Sequence, residues 1–324
     1  MTNILYFDFH SEASEFYRGM PLDYLKNKSF KITRSTERGV SSHSLNVFDV
    51  VIILRPSSEA HLLIIKLAKD LHKKVIIDWD DDPIHLPSTN PMYGYYEGDK
   101  HNTIKCLALA DEIWAATEGV KQAFRLYNKN IHVIPNAVND TIFRTKKPFN
   151  YKSKRIMWRG GSSHNGDIYQ PGTTEWIVKL INKNKKWNFF WLGHKFEFIE
   201  YRVKHGNFFY NPGGSTVQFY NMMIDINPAI FFYPLTTNLF NSSKSNCSWL
   251  ESTMSGSAYF GNMALPEFNK PGIKPLAELP EYLKGDRSDE LKKLNDESWT
   301  YIQDELLLSK INKLREHRLI EIGR

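Results

Sequence analysis

Cysteine is scarce: Cys106 and Cys247 are the only two in 324 residues. They cannot build a disulfide framework, a zinc ribbon or a four-cysteine site, and they fit a reducing compartment. Long apolar runs are missing too. A run such as Val50 to Leu54 falls far short of the roughly 20 residues that span a bilayer, so no membrane insertion is expected. Met1 to Asp8 lacks a basic stretch followed by a long apolar one, so no signal peptide is expected. Two phosphate-binding signatures are absent as well. There is no GxxxxGKS or GxxxxGKT loop, and the first strand does not run into GxGxxG, which argues against a plain dinucleotide dehydrogenase. No repeat recurs at solenoid periods.

What is present marks a folded protein. Hydrophobic residues make up 41%, charged residues 24% and aromatic residues 14%, which excludes a disordered or collagen-like chain. The length suggests two domains. The net charge of +6 permits an anionic partner without naming one. Most of the excess lies beyond Pro148: the balance is +1 up to that residue and +5 after it. Lysine outnumbers arginine and asparagine is frequent, as in proteins from AT-rich genomes.

Short apolar runs alternate with helical patterns. Asn3–Phe9, Phe48–Leu54, Lys74–Asp78, Glu112–Ala116 and Ile131–Ile134 read as strands of a first half. Glu59–His72, with Ser58 as N-cap, Thr103–Ala110 and Glu118–Tyr127 read as its helices. The polar link Lys146–Asn150 follows. The pattern then restarts, with strands at Arg155–Trp158, Asn188–Leu192, Ala229–Tyr233 and Ala258–Gly261. Helices are expected at Thr174–Asn182, Val217–Met223 and Ser248–Ser255, and Ser288–Ile322 is helical and charged. This predicts an α/β fold of two doubly wound parallel-sheet domains, 1–148 and 149–324, facing a central cleft. In open α/β sheets, ligands bind beyond the carboxyl ends of the strands.

Three clusters follow strands. Arg159-Gly160-Gly161-Ser162-Ser163-His164 is either a tight turn or a phosphate cradle, with Arg159 as a bidentate cation. Lys244-Ser245-Asn246 opens a helix that carries Glu251. There Lys244 and the helix N-terminus would attract an anion, and the Glu251 carboxylate would suit the two hydroxyls of a ribose. Asp80-Asp81-Asp82 closes the strand Lys74–Asp78. Asp82, before Pro83, reads as a turn residue. Asp80 and Asp81 are candidates to orient a hydroxyl. No His or further acid sits at ligand spacing, so no metal is expected. The loop from Trp79 to Asn102 adds His85, a base or donor, and Tyr93, Tyr95 and Tyr96. These tyrosines either stack on a sugar or base or pack on the core.

Asp111-Glu112-Ile113-Trp114-Ala115 and Val133-Ile134-Pro135-Asn136-Ala137-Val138-Asn139, followed by Phe143, resemble the end of the N-terminal domain in GT-B glycosyltransferases. They are similar to the retaining group 1 (family 4-like) enzymes, whose pattern is V-I-P-N-G-V-D. Lys244-Ser245-Asn246 through Glu251 and Gly256 resembles that family's donor-binding helix. The resemblance spans about Val50 to Asn262. It implies a nucleotide-diphosphate sugar donor, with a UDP-sugar expected, bound mainly by the second domain without an essential metal. It also implies retention of the anomeric configuration. Glu251 matches the ribose-binding glutamate of the family's pair, and Ser243 replaces the other. Arg159 matches the diphosphate arginine, and His164 stands where a lysine is usual, so Lys244 would supply the second cation. The composition resembles large bacteriophage proteins, some of which glycosylate hydroxymethylated pyrimidines in DNA. Double-stranded DNA is therefore an expected acceptor, and the host cytoplasm the expected location. Synthesis of bacterial surface polysaccharide and a non-catalytic nucleotide- or DNA-binding module are the alternatives.

Overall fold

A computed structural model describes residues 1–8, 12–36 and 41–323. The first half supplies β1 (Thr2–Phe7), β2 (Phe30–Ser35), β3 (Val50–Leu54), β4 (Lys74–Trp79), β5 (Glu112–Ala115) and β6 (Ile131–Val133). They form one parallel sheet in the order β2-β1-β3-β4-β5-β6. The second half supplies β7 (Arg155–Gly160), β8 (Asn188–Gly193), β9 (Phe208–Asn211), β10 (Ile230–Tyr233), β11 (Ala258–Gly261) and β12 (Ile273–Pro275). These form a second parallel sheet, β12-β11-β10-β7-β8-β9.

The continuous apolar runs work as expected for strands covered on both faces. Val51 and Ile53 of β3 enter one core cluster while Val50, Ile52 and Leu54 enter another. That second cluster runs on without interruption into the core of the second half. Ser58 caps the helix Glu59–Asp70, its hydroxyl accepting from the His61 amide.

Three strands escape the sequence reading: β2, β9 and β12. All three are sheet edges. An edge strand is half solvated and needs no long apolar run, and FKITRS and IKP show none. Phe9, read as the end of the first strand, lies outside the described residues. The expected loop from Trp79 to Asn102 is corrected: it contains a short helix, Tyr93–Gly98, and leads into a second one, Lys100–Leu109. The charged tail Ser288–Ile322 divides into two helices, Ser288–Glu305 and Leu308–Ile322. The last helix returns to the first half, where Asn312 donates to the Pro21 carbonyl at 2.9 Å and Arg318 grips the buried Glu112 carboxylate. Among the described residues no helix is long and apolar enough to cross a membrane.

The halves meet at a tight joint. Thr117 donates to the Ser243 carbonyl at 2.7 Å. Asn136 donates to Ser245 at 3.1 Å and accepts from the buried Arg18 at 3.2 Å. Arg18 also pairs with Asp78 at 2.5 Å, with neither side chain exposed. Asn136 is therefore one of the contacts between the two halves.

Candidate active site

Each sheet reverses its winding once, and each reversal opens a crevice at the strand ends. In the second sheet it lies between β7 and β10. Arg159 and Gly160 end β7, and Gly161 leads into the turn Ser162–His164. Packing by itself accounts for Gly160. A Cβ there would sit 2.7 Å from the Trp158 ring and 2.7 Å from the His164 ring, so packing demands the glycine. Gly161 is different: it is exposed, and a Cβ there would meet only Ser163 Oγ at 4.0 Å. Gly161 and the partly exposed Ser162 are the open part of this turn.

His164 does not supply the missing cation. It is buried, with Nε2 at 2.7 Å from the Tyr233 hydroxyl and Nδ1 at 3.1 Å from Asp167. Burial, aided by Lys244 nearby, lowers its pKa to about 4, so the ring is neutral at pH 7. Asp167 in turn accepts from the Thr236 amide and from Asn241, tying the turn after β7 to the loop after β10.

Glu251 sits in the helix Cys247–Met254 and is buried. One of its oxygens accepts from the Tyr17 hydroxyl at 2.6 Å; the other takes both Nε and Nη2 of Arg159. These three donors take three of the roughly four acceptor sites of the carboxylate, leaving one for any ligand. Burial pulls the Arg159 pKa down, but the Glu251 carboxylate more than offsets it and the net shift is upward. Ser245 and Asn246 are engaged elsewhere as well. Ser245 pairs with Asn136 and lies 3.3 Å from Cys247 Sγ, while the buried Asn246 amide reaches Glu267 at 3.4 Å. Lys244 is partly exposed, its ammonium 4.7 Å from the Phe240 ring centre. Among the described residues no carboxylate lies within ion-pair distance of it.

The facing wall comes from the first half. Asp82 is buried and caps its own turn, accepting from the Ile84 amide at 2.9 Å and holding His85 Nδ1 at 2.7 Å. Asp82 is thus the turn residue expected, and His85 is its exposed partner. Asp80 accepts from Ser14 at 2.5 Å and faces Arg55 at 3.5 Å. Asp81 is partly exposed and, among the described residues, accepts no hydrogen bond from the protein. Burial raises its pKa while Lys244, from the opposite wall, opposes that shift. The cleft therefore sets one open carboxylate against one unpaired ammonium.

The three tyrosines lie on a helix rather than a loop, and two are occupied. Tyr96 accepts from Arg55 at 3.0 Å and packs on Trp79, with ring centres 6.1 Å apart. The Tyr95 hydroxyl bonds Ser57 at 3.0 Å. Tyr93 is only partly buried. Sequence reasoning missed Tyr17, Ser14 and Arg55. Arg55 carried a usable signal, since it directly follows β3 as Arg159 ends β7. It also holds a left-handed backbone, φ 50°, uncommon for a non-glycine residue and a mark of local strain. Tyr17 and Ser14 lie in a segment with no strand or helix pattern to place them. Among the described residues no group of three His, Cys, Asp or Glu is arranged to hold a metal.

No family model and no curated protein matches the chain in sequence. Solved structures do match its shape. HepE of Anabaena, crystallised with UDP and glucose, superposes with a TM-score of 0.66 at 9% identity, over 98% of this chain and 99% of that one. An α,α-trehalose-phosphate synthase (UDP-forming) from Burkholderia vietnamiensis gives 0.61 at 10% identity, over 99% of both chains. The fold is GT-B. S. aureus MnaA, solved with UDP, gives 0.53 at 11% identity, over 92% of this chain and 91% of that one. At such identities the likeness concerns the GT-B architecture alone.

Proposed function

We propose that this protein is a glycosyltransferase that moves a sugar from a nucleotide-diphosphate donor, a UDP-sugar, to a hydroxyl acceptor with retention of the anomeric configuration. The carrying observation is the pairing of walls: the unpaired Lys244, which shares the surroundings of His164 with Arg159, on one side, and the open Asp81 carboxylate that feels the Lys244 charge on the other. The GT-B likeness to proteins solved with UDP supports the donor class.

In this reading residues 149–324 take the donor and residues 1–148 the acceptor. The anomeric carbon–oxygen bond to the β-phosphate breaks as a bond to the acceptor oxygen forms, and the acceptor hydroxyl loses its proton. Charge grows on the departing diphosphate. Lys244, Arg159 and the N–H groups at Gly161 and Ser162 are the donors placed to stabilise it. In many enzymes fixed donors of this kind account for more of the rate enhancement than any other effect. Asp81 orients the acceptor hydroxyl. A carboxylate whose pKa burial has raised is better matched to proton transfer near neutrality than an ordinary aspartate.

A duplex-DNA acceptor is supported by the charge balance alone, +5 beyond Pro148. Tyr95 and Tyr96, the expected stacking residues, are held by Ser57 and Arg55. A surface glycan is the other acceptor consistent with the cleft. The test is transfer of labelled sugar from UDP-sugars to soluble glycans and to plain and hydroxymethylated duplexes, with the anomer of the product read by NMR. An α-linked product from an α-linked donor supports the proposal; inversion, or no product with any acceptor, counts against it.

A further inference from the structure

Glu251 is buried and held from both halves of the molecule. Its two oxygens are divided between Tyr17 of the first half and Arg159 of β7. The Arg159 side chain is 23% exposed and that of Glu251 only 4%, so the cation faces the cleft and the acid stands behind it. A guanidinium presents five N–H donors in a rigid fork. Glu251 takes the Nε and Nη2 side. Among the described residues Nη1 makes no hydrogen bond to the protein, and it remains available to an anion.

We infer that Glu251 positions Arg159 for the donor diphosphate and does not itself bind the ribose, with Tyr17 as the second clamp on its carboxylate. This rests on the donor reading above. Binding both hydroxyls of a diol takes two acceptor sites, and three of the roughly four on Glu251 are already directed at the protein. An arginine held in one rotamer loses less entropy when it takes a phosphate. Tyr17 is supported in its turn: its hydroxyl lies 2.9 Å from that of Tyr220, whose ring stacks on Phe143 with centres 4.5 Å apart. Burial, then the Glu251 charge, pushes the Tyr17 pKa far above the ordinary tyrosine range. Tyr17 therefore stays protonated and donates. Because Tyr17 belongs to the first half, the diphosphate-binding arginine is tied to the acceptor wall.

The test is calorimetric titration of the whole protein with UDP and with 2′-deoxy-UDP. Glu251→Gln, checked for folding by its melting curve, is expected to weaken both nucleotides by the same factor, about tenfold, since each loses the oriented cation equally. In an Arg159→Gln background the same substitution is expected to add little further loss, because the two residues act as one unit. If Glu251→Gln fails to fold, Tyr17→Phe serves, with an equal and smaller loss for both nucleotides. A 2′-hydroxyl preference present in the unaltered protein and abolished by Glu251→Gln or Tyr17→Phe would place Glu251 on the ribose and overturn the assignment. Absence of binding by the unaltered protein to either nucleotide would overturn the donor reading, and the assignment with it.

Discussion

The hydroxyl of Thr117 donates to the carbonyl of Ser243 at 2.7 Å, closing the joint between the halves one residue before Lys244. Two residues along from Thr117, Gly119 touches the same segment. A Cβ there would lie 2.6 Å from the Ser242 carbonyl oxygen and 2.6 Å from the Ser243 Cα, both rigid backbone atoms. Gly119→Ala is expected to cost about 1–3 kcal/mol in denaturant unfolding, as overpacking does. It should also lower transferase activity by displacing Lys244. An unchanged unfolding midpoint would show that the joint has slack.

Asp81 and Lys244 should separate kinetically. Asp81→Asn keeps the shape and removes the charge proposed to orient the acceptor. Turnover is expected to fall by roughly 10²–10⁴ while UDP affinity holds. Lys244→Met removes the cation proposed to meet the diphosphate, so UDP affinity and turnover should fall together, turnover by roughly 10²–10³. Steady-state kinetics beside UDP titration distinguishes the two. An Asp81→Asn enzyme with full turnover would remove Asp81 from the mechanism.

Chelation should leave turnover largely intact. In the proposed mechanism Arg159 and Lys244 meet the charge on the leaving diphosphate, and among the described residues no metal-ligating cluster is present. Activity lost in EDTA and restored by Mg²⁺ or Mn²⁺ would reassign Asp80 and Asp81 to metal binding.

His164 gives a pH dependence of known sign. Its folded pKa, about 4, lies below the unfolded value near 6.5. Between those values the unfolded chain binds the proton and the folded one does not, so stability rises with pH through this window and falls on acidification. The His164 contribution is expected to cost about 2 kcal/mol on going from pH 7 to pH 5. His164→Gln should be less stable at pH 7, with a flatter pH dependence. Urea unfolding at the two pH values checks this, and equal slopes for the two proteins would contradict it.

The interior of the fold was legible because buried strands advertise themselves. FDVVIIL and KVIID need no context to be read as strands covered on both faces. The edge strands were not legible, since half their surface meets water and charged residues such as Lys31 and Arg34 sit comfortably there. The site was legible in its charges but not in their partnerships. Arg159, Glu251, Lys244 and Asp81 were singled out by their positions after strands or in the helix behind one. That Arg159 and Glu251 hold each other, across 92 positions, and that Tyr17 joins them from 234 positions away, is a tertiary fact with no local signature. The same holds for Gly160, whose lack of a side chain is required by the Trp158 and His164 rings beside it.

The central claim is that the cleft binds and cleaves a UDP-sugar. It is tested most directly by incubating the protein with a panel of UDP-sugars, UDP-glucose first, and measuring released UDP, with melting temperature followed in parallel. A transferase without its acceptor leaks donor slowly to water, and a bound donor stabilises the fold by mass action. A raised melting temperature and slow UDP release are expected with at least one sugar, the release suppressed by Lys244→Met. A raised melting temperature without any UDP release would make the protein a binding module, and no response to any UDP-sugar would contradict the claim outright.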